Sequence, residues 1–206
     1  TLSRTTGTLN YLGRIQNGSG TLSVVKAGAY TQVFGGANTY SGSTTVNAGI
    51  LRANSNGAFS PNSDHILANT AGVELDMTGY DMSIASLQGG GTTGGLVRLG
   101  TAALTLSGNG TYTYSGRILG EGIAGGLVKL GTGTFTMGQS PEYEGFTRVN
   151  QGVLRAGADL NFTGNLIISN ALSGRFDCAT FASTAPFLSF NSTRQVGGTW
   201  GGTASA

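Results

Sequence analysis

Hydrophobic and polar residues alternate over short stretches of the chain, and glycine separates one stretch from the next. Leu104-Thr-Leu106 and Thr134-Phe-Thr-Met137 both follow this alternation. A period of two indicates strands with one buried face, because successive side chains of a strand point to opposite sides. No stretch shows convincing helical spacing with capping residues. The pattern therefore predicts an all-β protein made of strands of about three to five residues.

Two segments of the sequence repeat each other at a constant offset. Residues 40–53 and 143–156 lie 103 positions apart, and nine of their 14 aligned residues are identical. Residues 94–101 and 125–132 form a second match, at an offset of 31. In both copies of the longer repeat an Asn-x-Gly turn separates two short strands, and both residue types accept the positive φ that such turns require. This degree of identity indicates a repeat protein.

Two all-β architectures accommodate such strands. A sandwich or barrel pairs them antiparallel through hairpins, whereas a solenoid stacks coil upon coil and buries each coil against the next. The approximate repeats and matching turn residues favour the solenoid, and we predict a right-handed parallel β-helix. With about 20 residues per coil the chain forms roughly ten coils, a rod about 50 Å long at ~4.8 Å per strand. The offsets of 103 and 31 residues are then about five coils and about one and a half coils.

The whole chain, 1–206, is predicted to be a single solenoid segment. Recognisable repeats lie within 26–53, 94–118 and 125–156, and residues 157–206 are expected to form divergent C-terminal coils or a cap. The ends of such a stack expose unpaired strand edges. We therefore expect the ends to contact flanking repeats of a longer chain, or to associate end to end with another copy.

Composition excludes several classes of protein. The 206 residues include 37 glycines but only 3 prolines, without a strict G-x-y period, so the chain is not a collagen. With 38% hydrophobic and 10% charged residues it has enough apolar surface to bury a core, which argues against disorder. No apolar run approaches the ~20 residues that a membrane helix needs. A folded repeat protein is the class that remains.

The charged residues are few and scattered. Eleven basic against nine acidic residues give a net charge of +2, and nucleic-acid binding needs clustered cations. Nucleic acid is therefore not expected as a partner. Cys178 is the one cysteine, so an intramolecular disulfide is impossible. The basic residues are Arg4, Arg14, Lys26, Arg52, Arg98, Arg117, Lys129, Arg148, Arg155, Arg175 and Arg194.

Residues 36–51 read G-A-N-T-Y-S-G-S-T-T-V-N-A-G-I-L. This segment resembles the autotransporter-associated β-strand repeat of bacterial surface proteins. The resemblance recurs over 100–116 and 131–154, although Phe146 and Arg148 replace small polar residues in the last copy. It implies a β-helical passenger or stalk at the bacterial cell surface or outside the cell, a part usually linked to adhesion. The repeat is structural and implies neither catalytic residues nor a cofactor.

Catalytic and metal sites have little support in the sequence. His65 is the one histidine, and it follows the turn-like segment Pro61-Asn-Ser-Asp64, so we expect a solvated loop histidine and not a catalytic base. There is no cysteine pair, second histidine or calcium-binding nonapeptide. We therefore predict no enzyme, no cofactor and no metal site.

Pairs of carboxylates are the strongest catalytic candidates. Glu74 and Asp76 alternate with Val73, Leu75 and Met77, so the period of two predicts carboxylates on the solvent face and apolar side chains inside. Two carboxylates about 5–9 Å apart suit glycoside hydrolysis, but a solvated outer face has the same pattern. The pair formed by Glu142 and Glu144 is a weaker candidate.

Three tyrosines at corresponding repeat positions, Tyr40, Tyr112 and Tyr143, are candidates for a carbohydrate-binding platform. Tyr40 and Tyr143 correspond at the offset of 103, and Tyr112 corresponds to Tyr143 at the offset of 31. A shift of two residues would select Tyr114 instead. Aligned aromatic rings outside a rod can stack on sugar rings. Rings inside the rod would instead pack coil on coil, and we favour this second interpretation.

The sequence thus predicts a noncatalytic structural or adhesive segment, a rigid rod that presents a multivalent surface. Host or environmental glycans and surface proteins are the expected partners. The alternative, from a different class, is a β-helix that binds or degrades polysaccharides.

Overall fold

The computed structural model describes residues 1–122, 124–190, 193–195 and 198–201. This part of the chain contains strands and no helix, and hence no helix able to cross a membrane. The strands are β1 (Thr8–Tyr11), β2 (Val24–Lys26), β3 (Thr31–Phe34), β4 (Thr44–Val46), β5 (Ile50–Ala53), β6 (Asp64–Leu67), β7 (Glu74–Asp76), β8 (Met82–Ile84), β9 (Ser86–Gly89), β10 (Leu96–Arg98), β11 (Ala103–Leu106), β12 (Thr111–Tyr114), β13 (Ile118–Leu119), β14 (Gly126–Lys129), β15 (Thr134–Met137), β16 (Phe146–Ala156), β17 (Leu160–Asn161), β18 (Asn165–Asp177), β19 (Ala182–Ala185), β20 (Leu188–Phe190), β21 (Thr193–Gln195) and β22 (Gly198–Gly201).

The strands stack in three parallel columns, here called faces 1, 2 and 3. Face 1 is the six-stranded sheet β1-β3-β5-β7-β10-β13. Face 2 runs through β2, β4, β6, β9, β12 and β15, and face 3 runs through β8, β11 and β14. The long strand β16 turns the corner between two faces, because its first half pairs with β14 and its second half with β15. From β7 onwards the chain passes from face 1 to face 3, then to face 2 and back to face 1.

The stacked parallel strands confirm the predicted β-solenoid, but the predicted number of coils is wrong. Partners in neighbouring strands lie between 19 residues apart, as for Thr134 and Val153, and 25 residues apart, as for Gly89 and Tyr114. The solenoid has about eight coils instead of ten. Corner loops lengthen most coils beyond the 20 residues that the prediction assumed. The eight coils form a stack about 40 Å long.

The two copies of the longer repeat lie on different faces. In the first copy, β2 and β4 belong to face 2, and β3 and β5 to face 1. In the second copy, the corresponding strands are β14 and the first half of β16 on face 3, then β15 and the second half of β16 on face 2. The offset of 103 residues is therefore about four and two-thirds coils, not five. The repeating unit is a strand–corner–strand segment and not a whole coil.

The core is a continuous column of inward-facing side chains. Leu51, Leu75 and Val97 are in register on neighbouring strands of face 1, and all three are fully buried. Val73 and Met77 are buried beside Leu75, as the alternation predicted. Polar side chains also point inward along the same column. They include Lys26, Gln32, Thr44, Ser63, His65, Lys129, Thr147 and Ser183.

The two ends of the stack differ in their pairing. At one end β1 is the edge strand of face 1, and half-buried Leu9, Ile15 and Leu22 line an open cleft of about 410 Å³. At the other end β21 pairs antiparallel with β20, and β22 pairs antiparallel with β19. Pairing therefore changes from parallel to antiparallel within residues 157–206. The first end presents an apolar cleft beside an edge strand.

Candidate functional site

Two of the three tyrosines that the sequence proposed for a platform lie inside the solenoid. Tyr40 is 0% exposed and Tyr143 is 2% exposed. The Tyr40 hydroxyl shares a hydrogen bond with Oγ1 of Thr44 at 2.6 Å, and the Tyr143 hydroxyl does the same with Oγ1 of Thr147 at 2.7 Å. Burial raises the pKa of both phenols. These positions agree with the interpretation that the rings pack coil on coil inside the rod. Carbohydrate binding by the tyrosines stays a prediction, and for these two rings it would require a coil to open.

The third tyrosine, Tyr112, occupies a different position from the other two. It is half-buried against the core in β12. Tyr114 is fully buried instead, and its hydroxyl donates to the carbonyl oxygen of Gly95. A Ser-Gly pair follows Tyr114, just as a Ser-Gly pair follows Tyr40. Tyr114 is thus the closer counterpart of Tyr40, which favours the alignment shifted by two residues.

A lysine joins two stacked corners in each copy of the repeat. Lys26 is fully buried, and its Nζ donates to the carbonyl oxygens of Gly28 at 2.6 Å and Ala48 at 2.8 Å. The same Nζ lies 3.9 Å from the centre of the Tyr30 ring, within the range of a cation–π contact. The lysine therefore fixes one corner directly above the next. Lys26 and Lys129 correspond at the offset of 103 residues, but in the sequence they stand only among the scattered basic residues.

The second lysine makes the same two backbone contacts. Lys129 is 2% exposed, and its Nζ donates to the carbonyl oxygens of Gly131 and Gln151. Burial lowers the pKa of Lys26 and of Lys129 to about 8. Both lysines of the chain thus have a structural position. The signal that could have identified them was their place in the alternation, at the inward position of β2 and β14.

Replacing Lys129 with methionine is expected to lower the free energy of unfolding by about 2–4 kcal/mol. The variant keeps the length and apolar stem of the side chain but leaves buried carbonyl oxygens without their donor. Urea denaturation followed by circular dichroism measures the change. Arg148→Met is the matched control, because Arg148 is exposed on β16. Equal unfolding midpoints for the two variants would contradict the structural role of the lysine.

The corners also depend on glycine. Gly49 and Gly152 occupy corresponding positions in the two copies, with φ of 68° and 70°. A Cβ at Gly49 would lie 2.5 Å from the carbonyl oxygen of Tyr30, and a Cβ at Gly152 would lie 2.4 Å from that of Gly131. Both the positive φ and the close approach exclude a side chain. The predicted Asn-x-Gly turns are therefore corners at which one coil rests on another.

Glu74 and Asp76, considered above as a catalytic pair, are both bound by arginines. Asp76 Oδ2 accepts a hydrogen bond from Nε of Arg52 at 2.6 Å, and Glu74 Oε1 accepts one from Nε of Arg98 at 3.0 Å. Arg52, Asp76 and Arg98 are in register on three neighbouring strands of face 1. The prediction of a solvent-facing carboxylate is wrong for Asp76, whose side chain is 3% exposed because Arg52 and Thr78 contact it.

Two further ion pairs connect neighbouring coils. Arg117 donates from Nε and Nη2 to the two carboxylate oxygens of Glu142 at 2.6 and 2.7 Å, and these hydrogen bonds lower the pKa of that carboxyl. Arg155 pairs with Asp177 at 2.8 Å. Both pairs are exposed, so solvent screens their attraction and they contribute little to stability. Glu142 and Glu144, the weaker catalytic candidates, are both exposed.

His65 is not the solvated loop residue that the sequence predicted. Strand β6 begins at Asp64, immediately after the turn, so the side chain of the next residue points into the core. His65 is 0% exposed, its Nδ1 lies 3.0 Å from the carbonyl oxygen of Ser63, and its ring contacts that of Phe59 at 5.6 Å between centres. Because a carbonyl only accepts, Nδ1 carries the proton. Buried Nε2 has no hydrogen-bond partner among the described residues, and burial lowers the pKa of His65 to about 4.

A cleft lies on the surface at the corner between faces 2 and 1. Its volume is about 190 Å³. Glu74 and Arg117 line it together with the loop 91–95 and residues Gly72, Val73 and Leu96. Across the described residues no cluster of three or more histidine, cysteine or acidic side chains is arranged to hold a metal ion. Two charged side chains of opposite sign, Glu74 and Arg117, thus line this cleft.

A parallel solenoid with buried lysines and tyrosines repeated at a fixed offset belongs to the class of repetitive rod-forming proteins. The passenger-associated-transport-repeat matches residues 24–53 and 127–156 of this chain. Both matched segments contain the buried lysine, the buried tyrosine and the corner glycine described above. The chain thus carries two passenger-associated transport repeats, and the resemblance found in the sequence is confirmed.

A curated relative supports the same assignment. The chain is 45% identical over 150 residues to the adhesin BmaC autotransporter of Brucella suis biovar 1 (strain 1330). The match covers 71% of this chain and 4% of that protein. The chain therefore spans only a small part of the length of this relative. No solved structure is significantly similar to the chain.

Proposed function

We propose that the chain is a noncatalytic, adhesive segment of an autotransporter passenger, a rigid rod that presents a repeated binding surface outside a bacterial cell. The observation that carries the proposal is the passenger-type repeat, present twice within one continuous β-solenoid. The printed name of the relative, an adhesin autotransporter, supports it. The partners we propose are glycans or proteins of host or environmental surfaces.

The outer surface of the solenoid suits adhesion through many weak contacts. On face 3 the outward side chains of Ser83, Thr105, Val128 and Arg148 lie in register on successive strands. Stacked strands place such side chains ~4.8 Å apart along the rod. Several weak contacts made by one rigid body add through effective concentration. Stiffness therefore contributes directly to the affinity of the surface.

The described side chains favour a noncatalytic role. Glu74, Asp76 and Glu142 are each bound by an arginine of a neighbouring coil, and His65 is enclosed in the core. Catalytic carboxylates must be accessible to substrate and able to exchange a proton. We therefore place polysaccharide cleavage second to binding.

Adhesion is tested by coupling the purified chain to beads and incubating them with mammalian cell monolayers and a panel of insoluble polysaccharides. Bead retention and new reducing ends are measured in the same samples, with beads carrying an unrelated β-protein at equal density as control. Retention without new ends is expected. New reducing ends would show that the chain degrades polysaccharides and would overturn the proposal. Retention no higher than that of the control on every surface would show that the chain is a spacer without adhesive function.

End-to-end contact is a separate part of the proposal. The open cleft lined by Leu9, Ile15 and Leu22 lies beside the edge strand β1, which has backbone groups oriented for another strand. We propose that this end contacts flanking repeats or a second copy of the chain.

A further inference from the structure

The loops at the corner between faces 2 and 1 differ in length from coil to coil. The segments between β2 and β3 and between β4 and β5 have four and three residues. The next two, 68–73 and 90–95, have six residues each, and the following one, 115–117, has three. Two long loops followed by a short one form a step on an otherwise regular rod. The cleft of about 190 Å³ lies at this step.

The long loop 90–95 is held in place by a side chain from the coil before it. Asn69 Oδ1 accepts hydrogen bonds from the backbone N–H groups of Thr93 and Gly94, each at 3.0 Å. Gly91 N–H donates to the carbonyl oxygen of Gly94 at 2.9 Å, which closes the loop on itself. A Cβ at Gly94 would lie 1.8 Å from the carbonyl oxygen of Thr70 in the previous coil, and a Cβ at Gly95 would lie 2.5 Å from the Cα of Gly90. The wall of the cleft is therefore preformed.

Charged groups of both signs line the cleft together with the apolar side chains of Val73 and Leu96. Glu74 supplies a carboxylate that only accepts hydrogen bonds, and Arg117 supplies a guanidinium that only donates them. Two of the five guanidinium N–H groups bind Glu142, so others are available for a ligand. Thr92 and Thr93 add exposed hydroxyl groups. No aromatic ring is among the residues that line it.

We propose that this corner cleft binds one hexose unit of a glycan, with Glu74 accepting from a hydroxyl group at one end of the sugar and Arg117 donating to a hydroxyl group at the other. The inference rests on the proposed adhesive function and names the ligand class of one site. Glu74 and Arg117 lie on opposite sides of Leu96 on face 1, two strand spacings or about 10 Å apart, a span that one hexose with its outer hydroxyl groups can bridge.

Other ligand classes fit the cleft less well. A polyanion would meet the carboxylate of Glu74, and a flat apolar ligand would find no ring to stack on. Pockets for larger organic ligands usually measure about 300–1,000 Å³, so the cleft of about 190 Å³ accommodates a single sugar ring. The rest of the wall consists of backbone, threonine hydroxyl groups and the apolar side chain of Leu96, a mixture that suits the polar edge and apolar face of a sugar ring.

The test is a titration of the ¹⁵N-labelled chain with the methyl glycosides of glucose, galactose, mannose and N-acetylglucosamine, followed through amide chemical shifts. Saturable shifts are expected for at least one glycoside at the amides that line the cleft, residues 72–74, 91–96 and 117, with a dissociation constant on the order of millimolar. Glu74→Gln is expected to weaken that binding at least tenfold. Thr92→Trp, which fills the cleft from an exposed loop position, is expected to abolish it.

Arg98→Gln is the matched control for Glu74→Gln. It breaks the same ion pair but leaves the carboxylate of Glu74 in the cleft, so binding is expected to persist. Loss of binding in both variants to the same extent would assign the effect to the ion pair and overturn the inference. Absence of shifts at 91–96 for all four glycosides would overturn it as well.

The bead assay separates this inference from the proposed function. Beads that carry Thr92→Trp and adhere as well as the parent would leave adhesion intact and overturn the role of the cleft. If the parent chain binds a glycoside at 91–96 but its beads are retained on no surface, the adhesive function is overturned while the sugar-binding site in the cleft remains supported.

Discussion

Replacing Tyr143 with alanine is expected to lower the free energy of unfolding by about 3–5 kcal/mol. The ring is 2% exposed and fills the core between neighbouring coils, so its removal leaves a cavity. The hydroxyl of Thr147 also loses its partner inside the core. Tyr40→Ala is expected to behave in the same way, since Tyr40 has the same contact with Thr44. Urea denaturation of each variant measures the loss.

Two variants divide this effect into its parts. Tyr143→Phe keeps the ring but leaves the Thr147 hydroxyl unpaired, with an expected cost of about 1–3 kcal/mol. Tyr112→Ala removes a half-buried ring and is expected to cost less than Tyr143→Ala. If Tyr40→Ala and Tyr143→Ala unfolded like the parent but lost retention on glycan surfaces, the tyrosines would form a sugar platform after all. Unchanged stability and unchanged binding together would contradict both interpretations.

Acidification is expected to destabilise the middle of the solenoid through His65. Burial lowers the pKa of His65 from 6.5 to about 4, so the folded chain binds a proton less readily than the unfolded chain. Stability conferred by the neutral ring is therefore complete above pH 6.5 and is lost as the pH falls from 6.5 towards 4. The expected loss over this window is about 3 kcal/mol. Protonation would place an N–H donor on Nε2, which has no acceptor among the described residues.

His65→Leu separates this effect from the titration of the carboxylates. The variant keeps an apolar side chain of similar length in the column between Thr44 and Leu87, the in-register neighbours of His65. Its free energy of unfolding is expected to fall by about 3 kcal/mol less than that of the parent between pH 7 and pH 4. Amide hydrogen exchange should place the difference in β4, β6 and β9. Parallel pH profiles for parent and variant would show that His65 does not titrate in this window.

Much of the fold is readable from the sequence because its signals are local. Alternation in segments such as Thr134-Phe-Thr-Met137 determines which side chains point inward, and the repeat identifies where corners recur. Val73, Leu75 and Met77 are buried as this rule requires. Asp76 is the exception, since Arg52 from the neighbouring strand covers a side chain that alternation places outside.

The candidate site was less predictable because its residues come from different coils. Glu74, the loop 91–95 and Arg117 are separated along the sequence and meet only because the coils stack. His65 was misassigned because a turn-like sequence precedes it, while the strand that begins at Asp64 directs its ring inward. The roles of Lys26 and Lys129 were missed because the basic residues were considered only for the clustering that nucleic-acid binding requires. Their inward position in the alternation was the available signal.

The sequence by itself determined the strand–corner–strand unit, the parallel solenoid and the passenger-type repeat, because alternation, corner glycines and repeat identity act within a few residues. Only the tertiary structure decided how the units stack. The first repeat copy lies on faces 2 and 1 and the second on faces 3 and 2, because loops of unequal length set the coil lengths and the offset of 103 residues is not a whole number of coils. The length of a coil is the total of its strands and corner loops, so no single local sequence signal determines it. The same unequal loops form the step that holds the corner cleft.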